Sequence, residues 1–97
     1  MEMVIATRKR DQGQACHRFG LRVRQARLKA DLSQERLARK VGVARAHFVN
    51  LEGGKSWGSI PLLRRIAMAT MTSTDWLLFG DKGERLREEA NGDREGS

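Results

Sequence analysis

The stretch SQERLARKVGVARAHFVNLEGG, residues 33–54, constrains the fold more than any other part of the chain. Its apolar residues recur at helical spacing on both sides of a single glycine. Leu37, Ala38 and Val41 share one face of a short helix that Ser33 is placed to cap and Gly42 to stop. A second helix is predicted from about Arg45 to Leu51. Two helices that cross closely need a small residue at the contact, here Ala38, and a turn residue that accepts positive φ, here Gly42. Val43, Phe48 and Leu51 would then hold the second helix against the first.

The flanking sequence supplies the rest of an all-α domain. Phe19, Val23, Ala26 and Ala30 form one helical stripe that ends before Asp31. After the second helix of the pair, EGGKSWGS reads as a loop, since three glycines make a helix there costly. Ser59 is placed to cap a fourth helix in whose first turn Pro61 is tolerated, with Ile60, Leu63, Ile66 and Ala67 inward. Ser73 is placed to cap a short fifth helix, TDWLLFG, that closes the core with Trp76, Leu77 and Phe79. Residues 1–16 lack periodicity and read as a flexible arm. Residues 17–80 read as the folded domain, and residues 81–97 as a polar tail with one helical turn at most. No β-alternation and no internal repeat is present, so the expectation is a compact five-helix domain.

At 97 residues the chain supports one modest core and little room for a deep catalytic cavity. The net charge of +7 is not evenly spread. Residues 1–17 carry three bases and two acids, residues 18–80 twelve and four, and residues 81–97 four and six. The three segments therefore stand at +1, +8 and −2, so the positive field belongs to the folded part, as expected of a nucleic-acid binder. A basic membrane-surface helix is disfavoured because the arginines do not oppose one broad apolar face with aromatic anchors. No run of about 18 apolar residues is present, and the opening MEMVIATRKRDQ has its acid before its bases, the reverse of a secretion signal. A single cysteine, Cys16, permits no internal disulfide and fits a cytoplasmic location. Cys16 beside His17 is a poor catalytic pair. No carboxylate pair or metal-ligand set accompanies it, so no enzyme, cofactor or metal is expected.

From Phe19 to Gly80 the sequence resembles the phage repressor and Cro family of helix-turn-helix DNA-binding domains, the lambda repressor-like fold. The matching pieces are Arg27 in RQARLK, then LSQERLARKVGV, NLEGGK and DWLLFG in joint spacing. The resemblance implies a buried ion pair between Arg27 and Glu52, tying the first helix to the end of the third. It implies DNA phosphate contacts at Ser33 and Gln34, where a helix N-terminus offers free N–H groups, and at Lys55 with the amides of Gly53 and Gly54. It places base reading on the third helix, at Ala44, Arg45, Ala46 and Asn50 with His47 and Val49 on the flanks. Arg45 suits the O6 and N7 of guanine, and Asn50 suits adenine or a phosphate. Ala46 and Val49 suit the thymine methyl. His47 is divided between DNA contact and an idle surface histidine. Trp57 is either a cover for the core or a projecting group. The sequence departs from the family at Ala44, where a Ser or Thr cap is usual, and at Thr70 and Met71, where Leu and Gly usually end the fourth helix.

The resemblance also implies a homodimer on a double-stranded, palindromic operator, since one recognition helix reads only a few base pairs. Met68, Met71, Trp76, Leu78 and Phe79 are the candidate dimer residues. Leu21 and Leu28, seven apart and opposite the Phe19 stripe, are either simply exposed, covered by Val4 and Ile5 of the arm, or part of a second subunit. The expected function is a cytoplasmic, nucleoid-associated transcriptional regulator that represses, or represses and activates. With a tail too short for a sensor domain, it would answer to its own concentration or to a protein partner. The competing expectation is an antitoxin or antiactivator that binds a protein, with DNA binding secondary.

Overall fold

The computed structural model describes residues 2–81, with side-chain surroundings from residue 13 onward. It is all-helical: α1 (Glu2–Lys29), α2 (Gln34–Val41), α3 (Arg45–Glu52), α4 (Ile60–Thr70) and α5 (Thr74–Phe79). Helix α1 packs on α3, α4 and α5, and α2 packs on α3 and α4. The core runs along Phe19, Val23 and Ala26 of α1, Leu37, Ala38 and Val41 of α2, and Phe48 and Leu51 of α3. Leu62, Leu63, Ile66 and Ala67 of α4 and Leu77 of α5 complete it.

Side-chain caps start three of the helices where the sequence places them. Ser33 Oγ accepts from the Arg36 amide at 3.0 Å, Ser59 Oγ from Leu62 at 3.3 Å and Ser73 Oγ from Trp76 at 3.0 Å. Helix α3 starts at Ala44, which has no side-chain acceptor to offer.

The first four helices end alike. In each, a left-handed residue donates its N–H three residues back and the following residue donates five residues back, the Schellman pattern. Asp31 and Leu32 close α1 on Leu28 and Arg27, and Gly42 and Val43 close α2 on Arg39 and Ala38. Gly54 and Lys55 close α3 on Leu51 and Asn50, and Met71 and Thr72 close α4 on Met68 and Ala67. The left-handed φ values are 59° at Asp31, 77° at Gly42, 76° at Gly54 and 56° at Met71. The Thr70–Met71 departure therefore leaves the helix end intact, with a methionine in the position a glycine would occupy at lower cost.

Four expectations are corrected. The segment read as an arm is helical, because nothing between Glu2 and Lys29 breaks a helix except two glycines, and Cys16 extends the buried stripe one turn before Phe19. Ala30 lies just past the end of α1 and is only half-buried. Ile60 is 81% exposed and Leu62 takes its place in the core. At 100° per residue, the inward arc defined by Leu62, Leu63, Ile66, Ala67 and Thr70 leaves Ile60 about 90° from its centre. Phe79, the last residue of α5, is 55% exposed, and Leu77 closes the core with Trp76 half-buried against it. Apart from Asp81, the polar tail lies outside the described residues.

Two contacts set the placement of α3 against α1. Gly20 is buried where α1 crosses the end of α3, and a Cβ there would strike the carbonyl oxygens of Glu52 and Leu51. One turn earlier, a Cβ on Gly54 would lie 2.7 Å from His17 Cα, so the loop after α3 also meets α1 backbone to backbone. At the far side, the Arg22 guanidinium donates to the carbonyls of Leu77 at 2.8 Å and Leu78 at 2.6 Å, capping α5. Burial, and then the neighbouring Arg18, pull that guanidinium below its ordinary pKa.

Candidate nucleic-acid interface

The candidate surface is built on α3. Phe48, Leu51 and Glu52 point inward and are buried, and this fixes which residues face out. Arg45, Ala46, Val49 and Asn50 are exposed and His47 is half-buried on the flank. Among the described residues none of the side chains of Arg45, His47 and Asn50 has a hydrogen-bond or ion-pair partner in the domain, so their polar groups are open to an incoming ligand. A row of this kind, one basic fork, two short apolar side chains and an amide, offers the donor, acceptor and methyl contacts that base edges present in a major groove.

Behind this row sits the Arg27–Glu52 pair. Arg27 Nε lies 2.6 Å from Glu52 Oε2 and Nη2 lies 3.3 Å from Oε1, both ends buried, and Arg27 Nη1 also donates to the Leu32 carbonyl at 2.9 Å. Gln34 completes the arrangement by donating Nε2 to Glu52 Oε1 at 3.0 Å. Thus α1, the start of α2 and the end of α3 meet at one carboxylate. Gln34, expected at a DNA phosphate, thus also has a task inside the domain, since its amide nitrogen donates to Glu52. Ser33 is exposed, and its oxygen caps α2.

The loop after α3 corrects an expectation. The amides of Gly53 and Gly54, read as a phosphate grip, donate instead to the carbonyls of Val49 at 2.9 Å and Leu51 at 3.2 Å. Helix closure uses them, because a helix C-terminus leaves orphan carbonyls that nearby N–H groups must satisfy. The Lys55 amide is likewise used, on Asn50, while its side chain is exposed. Trp57 lies beside the core and is still 37% exposed: its ring centroid is 5.2 Å from that of Phe19 with 30° between the planes.

Of the proposed contact residues between subunits, Met68, Met71 and Phe79 are exposed, whereas Trp76 and Leu78 are half-buried against the core. Leu21 and Leu28 are exposed at 47% and 58%. The side-chain surroundings of Val4 and Ile5, the arm residues offered as a cover for this face, lie outside the described residues. Cys16 is buried, and burial pushes its thiol above the ordinary pKa.

Arg22 and Gly20 are the positions that sequence reasoning passed over. The bonds of Arg22 reach 55 and 56 residues along the chain, which no local pattern signals. Gly20 had a signal: a glycine inside an otherwise periodic helix stripe marks either a weak point or a close approach.

Among the described residues no helix is long and apolar enough to cross a membrane. None of the curated proteins compared with the chain matches it. A family model described as a helix-turn-helix domain matches residues 18–76, from the middle of α1 to within α5 and across the whole α2–turn–α3 unit. The match spans more than half of the 97 residues, and the chain belongs to this family of helix-turn-helix domains, whose DNA-binding character agrees with the basic surface and the outward row of α3.

Proposed function

We propose that the protein is a transcriptional regulator of the phage repressor and Cro kind, which binds a palindromic operator as a homodimer and represses from it. The observation that carries this reading is the outward row of α3: Arg45, Ala46, Val49 and Asn50 are exposed on a helix whose other face is anchored by Phe48 and Leu51. In this reading Arg45 forks onto a guanine, Asn50 reads an adenine or grips a phosphate, and Ala46 and Val49 pack on thymine methyls, with His47 beside them. Ser33, Gln34 and Lys55 hold the backbone, Lys55 as a point charge. Exposed Met68, Met71 and Phe79 supply the apolar surface for the second copy, working with DNA in the cytoplasm. No catalytic step is assigned.

The test is a selection of bound duplexes from a random pool, followed by titrations of the recovered site and of random DNA with Arg45→Ala and Lys55→Ala. The expected outcome is a site with two-fold symmetry. Arg45→Ala relaxes preference at one position by about 1 to 3 kcal/mol, and Lys55→Ala weakens all duplexes alike. Equal losses from both variants on specific and random DNA would refute the assignments. Exposed Leu21 and Leu28 favour a second reading, a protein-binding antitoxin or antiactivator, and recovery of no preferred duplex would favour that instead.

A further inference from the structure

We propose that Arg24, on α1, is a DNA-backbone contact that works with Arg45 across a groove between α1, α2 and α3. The inference rests on the DNA-binding reading above and adds an element outside the α2–turn–α3 unit.

The groove has a volume of about 440 Å³, is open to solvent, and is lined by Arg24, Arg27, Ser33, Gln34, Glu35 and Arg45. Its charges do not cancel internally. The Arg27 charge is met by Glu52, and Glu35 turns to Arg39 at 3.3 Å. That leaves two guanidinium groups facing one polar groove, Arg24 and Arg45, both exposed and neither with an acid partner among the described residues. A cleft flanked by like charges over a low-dielectric wall concentrates the positive potential, and the group that relieves it is an anion.

Position selects the phosphodiester of a duplex as that anion. Arg45 opens α3 and so belongs both to the groove and to the outward row of that helix. Arg24 is one turn before Arg27, whose pair with Glu52 fixes α1 against the end of α3, so the two arginines are held on a rigid frame. When the α3 row faces base edges, the groove beside its N-terminal end lies over the flanking sugar–phosphate strand. The guanidinium of Arg24 then donates to phosphate oxygens, a contact that positions the domain without reading sequence.

The test uses the full chain and a random-sequence duplex, with affinity measured from 50 to 200 mM salt for wild type, Arg24→Gln, Arg24→Lys and Arg64→Gln. Arg64 is an exposed arginine of α4 that does not line this groove. Arg24→Gln is expected to reduce the log–log salt slope by about 0.9, so that its deficit against wild type shrinks about 3.5-fold across that salt range. Arg24→Lys should restore the slope and Arg64→Gln should leave it at the wild-type value, with thermal midpoints unchanged throughout. A wild-type slope in Arg24→Gln, or an equal reduction in Arg64→Gln, overturns the role of Arg24 while DNA binding stands. A wild-type protein that binds no duplex overturns the DNA-binding reading and the proposal with it.

Discussion

Replacing Gly20 by Ala sets two effects of opposite sign against each other in one helix. Alanine inside a helix is favoured over glycine by about 0.8 to 1 kcal/mol, because glycine gives up more chain entropy on folding. At Gly20 the added methyl would lie 2.7 Å from the Leu51 carbonyl oxygen and 2.9 Å from the Glu52 carbonyl carbon, with the Glu52 oxygen nearer still. Even weak C–H···O contacts sit at about 3.3 to 3.6 Å, so α1 must retreat from α3 by roughly half an ångström or more. Overpacking of this kind costs about 1 to 3 kcal/mol, and the upper end applies because the struck atoms are main chain and cannot rotate aside. The net loss is then about 2 kcal/mol. Gly13, on the same helix, has nothing within 4 Å of its added methyl, so Gly13→Ala isolates the propensity term. Thermal unfolding followed by circular dichroism should lower the midpoint by about 8 to 16 °C for Gly20→Ala and raise it by up to about 8 °C for Gly13→Ala. A Gly20→Ala protein as stable as Gly13→Ala would refute the close approach of α1 to the end of α3.

The Arg27–Glu52 pair should behave as a buried charge pair: Glu52→Ala leaves the guanidinium with the Leu32 carbonyl alone and is expected to cost about 3 to 5 kcal/mol in urea unfolding. The double variant Arg27→Met with Glu52→Leu should recover most of that loss, and a Glu52→Ala loss below about 1 kcal/mol would contradict the burial. Left-handed helix ends give a reciprocal pair. Gly42→Ala should lose about 1 to 2 kcal/mol from φ alone, since its methyl would meet only Arg65 Nη1 at 3.9 Å. Met71→Gly should gain up to about 1 kcal/mol after its larger unfolded-state entropy is counted. Denaturant midpoints at a protein concentration low enough to exclude association check both, and a destabilised Met71→Gly would show that Met71 is not held against its preference.

How much could be read in advance depends on the range of the interaction that decides each feature. Ser33, Ser59 and Ser73 act on amides three residues away, so three helix starts were legible from a local pattern. Gly42 was legible as a helix stop because a glycine four residues beyond Ala38 has few other uses. Met71 performs the same turn as Gly42 without a glycine, and nothing local distinguishes it from a helical methionine. The outward face of α3 followed from its period, since Phe48 and Leu51 leave Arg45, Ala46, Val49 and Asn50 on the other side. Ile60 was misread by the same reasoning, because a residue at the edge of the apolar arc is assigned by the cap's direction as much as by its hydrophobicity.

Contacts between distant parts of the chain were legible only where a resemblance supplied them. The Arg27–Glu52 pair spans 25 residues and came that way. The Gln34–Glu52 bond spans 18 and the Arg22 caps span 55 and 56, and none of these was anticipated. The failure at Gly53 and Gly54 shows why the distinction matters for function. Glycine amides after a helix look like an anion grip in sequence, but a helix end needs donors for its own carbonyls first. Donors in such a loop are free for a ligand only after the Schellman bonds have been counted. By that accounting the charge available beside α3 belongs to the side chains of Arg24, Arg45 and Lys55 and not to the loop backbone.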